Sequence, residues 1–299
     1  MNGILIVDKP TGVSSNGVLS RLKRVLGRRK IGHAGTLDPL ATGVLPVLVG
    51  TATRLSGFYL GKDKEYLASV RFGWSTDTWD ADGQPDAAPR PAPADPERLF
   101  ALARELAGRR EIRVPAFSAA KWKGKPGYYY ARRGLDCPEK VRTVEVYAVG
   151  DLHWASPVLT FRVHCSSGTY VRSLAHELGE RSGSGAHLAA LRRVRTGPFT
   201  LADAAALDAV EADPSLATRR LLPLESLLDE FPRLDCGEDD ARRAAHGNPV
   251  AVAAPLPDGS RARLFDPDGR LVALGTVGAR GDGTVVVHPD LVLGAPGPP

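Results

Sequence analysis

The chain has 299 residues, a formal net charge of +5 and 43% hydrophobic side chains. That length buries a full core and accommodates more than one domain, and that apolar content excludes an intrinsically disordered chain. No apolar run approaches the roughly 20 residues of a membrane-spanning helix, and the opening MNGILIVDKP carries neither a basic leader nor a small-residue cleavage site, so a cytoplasmic protein without membrane attachment is expected. Cys137, Cys165 and Cys236 are isolated from one another, and the seven histidines show no metal-ligand spacing. No phosphate-cradling or dinucleotide-binding glycine motif is present. No metal and no cofactor are therefore expected.

In chain order, residues 4–7 predict a short buried strand, ended by Asp8-Lys9-Pro10-Thr11-Gly12. Ser14 or Ser15 caps the helix that follows. Its face of Val18, Leu19, Leu22, Val25 and Leu26 leaves Arg21, Lys23 and Arg24 largely outside the apolar stripe, and Gly27 suits its C-terminal end. Residues 31–45 and a buried run through Val49 come next. Residues 66–72 are rich in strand formers, 77–83 break regular structure, and 85–96 read as an exposed Pro/Ala-rich linker. Asp95-Pro96-Glu97 starts a helix with Leu99, Leu102 and Leu106 on one face. Residues 159–165 alternate as a half-buried strand and run through Ser166-Ser167-Gly168-Thr169-Tyr170-Val171-Arg172 into a helix carrying Leu174 and Leu178. Residues 185–193, with His187, Leu188 and Leu191, read as a further helix. Beyond about residue 231 the character changes: a helical piece at 238–246, then strands at 263–265, 270–274 and 284–288 around the turn Asp266-Pro267-Asp268-Gly269. This predicts a small β-rich second domain, with residues 294–299 as a frayed tail.

Two basic stretches stand out, 21–30 and 109–142. Either alone reads equally as a solvated face. Together they favour a polyanionic partner, because clustered cations are the electrostatic footprint of nucleic acid. Within the second, Lys121-Trp122-Lys123-Gly124-Lys125-Pro126-Gly127-Tyr128-Tyr129-Tyr130-Ala131-Arg132-Arg133 interleaves cations with rings. Such a composition suits phosphates and unstacked bases, the plain alternative being a basic surface hairpin.

The run Ile31-Gly32-His33-Ala34-Gly35-Thr36-Leu37-Asp38-Pro39-Leu40-Ala41-Thr42-Gly43-Val44-Leu45 places one carboxylate in a glycine-punctuated apolar setting. Pro39 holds Asp38 out of the helical region, and Gly32, Gly35 and Gly43 permit sharp turns and close approach of chain or ligand. The segment predicts a rigid loop that presents one acid. This run resembles the catalytic motif of the TruB-type RNA pseudouridine synthases. Five further segments match that family in order: the DKP-x-G-x-SS stretch from Asp8, residues 75–83 with Trp79 at a position where variation is expected, 115–134, 168–173 and 185–193.

The resemblance implies an α+β fold. Its catalytic domain, residues 1–230, would have a mixed, largely antiparallel sheet flanked by helices, with an RNA-gripping thumb-like insertion at about 109–142. Residues 231–299 would form a PUA-like RNA-binding domain. It implies cofactor-independent isomerisation of uridine to pseudouridine at position 55 in the T-arm of tRNA, by a monomer that needs no protein partner. By resemblance Asp38 is the nucleophile and Arg172 the cation paired with it. Tyr66 stacks on the flipped uracil and is a candidate base for a sugar proton. Tyr170 lies near the substrate, His33 fills the space the base leaves, and Leu191 contacts the base. Lys9, Arg24, Lys121, Lys123, Lys125, Tyr128 and Arg132 are candidate RNA contacts. Read without the resemblance, Asp38-Pro39 is a turn, Tyr66, Tyr170 and Leu191 are core, His33 is a loop residue, and Arg172 makes a structural ion pair or phosphate contact. Two alternatives stand beside the enzyme: an RNA-binding or RNA-folding protein of the same architecture, and a synthase subunit guided by a small RNA, against which the short second domain argues. A carboxylate nucleophile must be ionised. Burial raises its pKa and a nearby cation lowers it, so the pairing of Asp38 with Arg172 is the geometric requirement.

Overall fold

The computed structural model describes residues 1–27, 29–135, 138–253, 255–279 and 284–294. Its centre is a mixed sheet built from β1 (Gly3–Lys9), β2 (Ile31–His33), β3 (Thr42–Val49), β4 (Lys64–Phe72), β5 (Gly108–Arg113), β6 (Val141–Ala155), β7 (Val158–Cys165) and β8 (Ala186–Thr196). The order across the sheet is β1-β3-β8-β4-β7-β6-β5, with β2 on the edge of β3 and short strands at 205–206 and 222–223 beside β1. Every neighbouring pair along the main order is antiparallel except β3 with β8.

β1 and β3 read as continuous apolar runs because both faces of that sheet edge are covered. Leu5, Val7, Leu45 and Val47 lie on the face of the sheet that shares one core with the helices α1 (Ser15–Leu26), α2 (Pro96–Arg104) and α3 (Val171–Ser182). Ile4, Ile6, Val44 and Leu48 face the other way, onto Phe265, Leu271, Leu274 and Leu293. Those last four belong to a C-terminal β unit made of β9 (Arg233–Asp235), β10 (Val250–Ala251), β11 (Arg261–Phe265), β12 (Leu271–Ala279) and β13 (Val285–Val292), in the order β9-β11-β12-β13-β10. With α4 (Glu238–Ala245) this unit has a second core of its own around Ala244, Leu264 and Val287. Arg263 of β11 ties it to the preceding segment by donating to the carbonyls of Leu227 and Phe231.

Local signals explain the elements. Ser14 is the α1 cap, accepting from the Gly17 amide at 3.0 Å. Asp95 caps α2 by accepting from Glu97 and Arg98. β7 alternates buried and half-buried side chains along its whole length, as its sequence requires. Residues 185–193 correct an expectation: they enter strand β8 and are not a helix. Ala, Leu and Arg are strong helix formers. Nine residue pairings with β4 nevertheless hold β8 extended, with bulges between Leu188 and Ala190 and between Arg193 and Arg195. The bulges break the two-residue alternation that would have marked a strand. Gly43 is where β3 meets β8: its φ is +100°, and a Cβ there would lie 2.1 Å from the Arg193 carbonyl oxygen, so only glycine permits the parallel contact. Cys165 is buried and Cys236 half-buried, both as free thiols; Cys137 and residues 295–299 of the expected tail lie outside the described residues.

Candidate active site

A cavity of about 340 Å³ opens over the centre of the sheet, lined by Asp38, Tyr66, Tyr170, Arg172, Leu191 and Arg193 among others. Its acid is held by a heavily tied loop. Ser15, at the start of α1, exchanges two hydrogen bonds with Leu37: its hydroxyl donates to the carbonyl at 2.9 Å and accepts from the amide at 2.8 Å. The Gly12 amide donates to the Pro39 carbonyl at 2.9 Å, and the Thr11 hydroxyl to that of Leu40 at 3.1 Å. The stretch from Asp8 to Ser15 is thus the clamp on the Asp38 loop.

Lys9 belongs to that clamp, which corrects its reading as an RNA contact. It is 0% exposed, and its ammonium donates to the carbonyls of Pro10, Val13 and Pro39. Burial pulls its pKa down to about 8. A lysine enclosed by carbonyls of two loops has no free face for a phosphate.

Arg172 occupies the first turn of α3 and is 4% exposed. Its guanidinium reaches Asp38 at 3.0 Å and Asp80 at 3.4 Å, and donates to the carbonyls of Thr78 and Phe117 at 3.0 Å each. The pairing required of Asp38 and Arg172 is therefore present. Asp80 is buried too, and its carboxylate accepts from the Thr78 hydroxyl at 2.6 Å and the Asp82 amide at 3.2 Å. Burial raises the Asp38 carboxyl above its ordinary pKa, with Arg172 opposing and Asp80 adding to the rise. Asp38 is a half-buried carboxylate, its side chain 38% exposed, paired with one buried guanidinium.

Tyr66, in β4, is 7% exposed, and burial raises its phenol pKa while the facing Arg193 guanidinium opposes. The phenol is therefore protonated at neutral pH. Tyr170 immediately precedes α3 and Leu191 lies on β8; both line the cavity. His33, on β2 opposite Val47, does not line it. Burial and Arg193 lower its pKa.

Three lining or supporting groups escaped the sequence reading. Arg193 is 1% exposed and donates to the carbonyls of Val44, Gly35 and Thr36, under the Asp38 loop. Lys64, 5% exposed, donates to the carbonyls of Leu60 and Lys62, and burial brings its pKa to about 8. Asp80 is the third. Arg193 sits in a basic cluster that resembles surface, and nothing local in the sequence separates it from Arg192 or Arg195.

The insertion between β5 and β6 contains a two-stranded hairpin, Lys121–Trp122 with Lys125–Pro126, followed by a helical turn at Gly127–Ala131. Lys123 and Gly124 form its tip with φ of 44° and 80°, the two positive values of a type I′ turn. Gly127 is required because a Cβ would meet the Ala116 carbonyl oxygen at 2.7 Å. Lys123 lies 4.5 Å from the Trp122 ring centroid, Lys125 4.2 Å from Tyr129 and Arg132 5.6 Å from Tyr128. Lys121, Lys123, Lys125, Tyr128 and Arg132 are exposed, as is Arg24 on α1. The base of the insertion reaches the cavity, where Ala119 lines it and Phe117 holds Arg172.

Residues 23–171 match the family model described as TruB family pseudouridylate synthase (N terminal domain). Residues 172–229 match the tRNA pseudouridylate synthase B C-terminal domain. The chain belongs to the TruB family of pseudouridylate synthases. It is 40% identical over 277 residues to the tRNA pseudouridine synthase B of Syntrophotalea carbinolica, covering 91% of this chain and 90% of that one. It is 44% identical over 285 residues to that of Xanthomonas campestris pv. campestris, covering 94% and 92%. Among solved structures, the chain in an H/ACA RNP bound to a substrate RNA containing 2′-deoxyuridine superposes with a TM-score of 0.72 at 25% identity, over 98% of this chain and 85% of that one. A chain of a Cbf5-Nop10-Gar1 complex gives 0.70 at 26%, with the same coverage. TruB membership accounts for the α+β architecture and the separate C-terminal β unit.

Proposed function

We propose that this TruB-family enzyme converts uridine to pseudouridine in tRNA, at position 55 of the T-arm, with Asp38 as the nucleophile. The observation that carries the reading is the meeting of Asp38 with Arg172 at 3.0 Å beside the buried Tyr66, in a cavity of about 340 Å³. A tRNA substrate is supported by the names of relatives at 40–44% identity over most of the chain.

The reaction breaks the N1–C1′ bond, rotates the uracil, forms a C5–C1′ bond and returns the C5 proton to solvent while N1 regains one. No net oxidation occurs. The base leaves the helical stack to reach the cavity, and aromatic stacking offsets the few kcal/mol that flipping costs. Tyr66 supplies that platform, Leu191 and Tyr170 bound the base, and Arg172 keeps Asp38 ionised against its burial. His33, on β2 and outside the cavity, occupies the space left in the RNA stack. The exposed cations and rings of 121–133, with Arg24, hold the stem-loop. Residues 231–299, read as a PUA-like unit, add a further RNA surface, and the enzyme acts as a monomer in the cytoplasm.

A T-arm stem-loop RNA incubated with the protein should undergo one mass-neutral isomerisation, mapped to position 55 by chemical reaction specific for pseudouridine. Modification elsewhere in the loop would overturn the positional reading, and no modification would overturn the whole.

A further inference from the structure

Trp79 has a φ of 61°, a left-handed conformation that a bulky side chain keeps only where its surroundings over-determine it. Two backbone hydrogen bonds contribute: its amide donates to the Thr76 carbonyl, and its carbonyl accepts from the Leu188 amide, both at 3.0 Å. The third restraint is a ring contact. Trp79 stacks on His176 with centroids 4.4 Å apart and planes 10° from parallel.

The positions of these two residues matter. Trp79 lies between Thr78, whose carbonyl accepts from Arg172, and Asp80, whose carboxylate pairs with it. His176 lies one turn beyond Arg172 on α3, its ring held by the Ser75 hydroxyl at 3.1 Å from Nδ1. Burial lowers the His176 pKa, so two neutral rings meet at neutral pH. One stack thus fastens the helix that carries the cation to the loop that grips it.

We propose that the Trp79–His176 stack positions Arg172 for catalysis. Trp79 and His176 are positioning residues: they fix the Thr78 carbonyl and the Asp80 carboxylate against the guanidinium, and so set how Arg172 faces Asp38. The inference rests on the reading of Asp38 as nucleophile.

Trp79→Gly tests it, since glycine accepts the left-handed φ and isolates loss of the ring. His176→Ala removes the other half, and His176→Phe keeps a stacking surface without the polar contacts. In single-turnover assays on the T-arm stem-loop, Trp79→Gly and His176→Ala should lower the rate at saturating RNA by about 10- to 100-fold, the scale of a small misplacement at the reacting centre. RNA affinity should be unchanged. The acid limb of the pH profile should move to higher pH, because Arg172 no longer offsets the burial of Asp38, and His176→Phe should recover the wild-type rate. Wild-type plateau rates and acid limbs in Trp79→Gly and His176→Ala, whatever their melting temperatures, would overturn the proposal, as would a His176→Phe variant no better than His176→Ala. If Trp79→Gly fails to fold, the two His176 variants decide. Turnover by Asp38→Asn would instead overturn the nucleophile reading itself.

Discussion

The cavity and the hairpin at 121–133 are both made of cations and aromatic rings, and they use them in opposite ways. In the cavity Arg172, Arg193 and Lys64 are each 5% exposed or less, and their terminal nitrogens donate to carbonyls and carboxylates of the protein. In the hairpin Lys121, Lys123, Lys125, Arg132 and Arg133 are exposed, the last four resting on rings. A buried cation with fixed partners sets geometry and the charge state of a neighbour. An exposed one acts through its field, which salt screens. The first arrangement suits chemistry on one base, the second the capture of a polyanion whose sequence need not be read.

This contrast can be broken from either side. The largest effect belongs to Asp38→Asn, which keeps a carbonyl for Arg172 and removes the nucleophile. Turnover should fall by more than about 10⁴-fold, as for the loss of a nucleophile elsewhere, with RNA binding unchanged in a filter or fluorescence assay. Arg172→Lys comes next. An ammonium cannot span four acceptors, so the single-turnover rate should drop by about 100-fold or more, again with affinity retained. Neutralising Lys121, Lys123 and Lys125 together should weaken binding at low salt. The slope of log affinity against log salt should become shallower by about 2–3, roughly 0.7–0.9 for each phosphate that is no longer neutralised. An unchanged slope would show that the hairpin points away from RNA.

The smallest effect is on the pH profile. The active form needs Asp38 ionised, and burial raises its pKa above the ordinary aspartate value. On acidification the rate should begin to fall at a higher pH than a solvent-exposed aspartate would give. The same shift has a stability sign: a raised folded-state pKa means the ionised group opposes folding, so the contribution of Asp38 falls as pH rises through that window. Asp38→Asn should therefore melt no lower than wild type at neutral pH.

Much of this was written in the sequence where local rules decide. The α1 cap at one of the serines 14 and 15, which proves to be Ser14, the α2 start at Asp95 and the alternation of β7 follow from single residues and short periods. The Asp38 loop was legible as rigid from Pro39 and its glycines. What pins it was not: Ser15 on Leu37 and Lys9 on Pro39 are contacts between separate segments. Lys9, flanked by Asp8 and Pro10, looks exposed in sequence, and only the carbonyls converging on it show otherwise. β8 was misread because its composition favours a helix and its bulges break the two-residue alternation that would have marked a strand. Arg193 was missed for the same reason, since the face a residue takes after a bulge is a property of the sheet and not of the chain.

The most direct test is the single-turnover rate measured against RNA concentration for wild type, Asp38→Asn and the triple lysine variant on one T-arm stem-loop. If chemistry resides in the buried cavity and capture in the exposed hairpin, the triple variant reaches the wild-type plateau at higher RNA concentration. Asp38→Asn then binds with wild-type affinity and forms no pseudouridine. A lowered plateau in the triple variant, or product from Asp38→Asn, would contradict it.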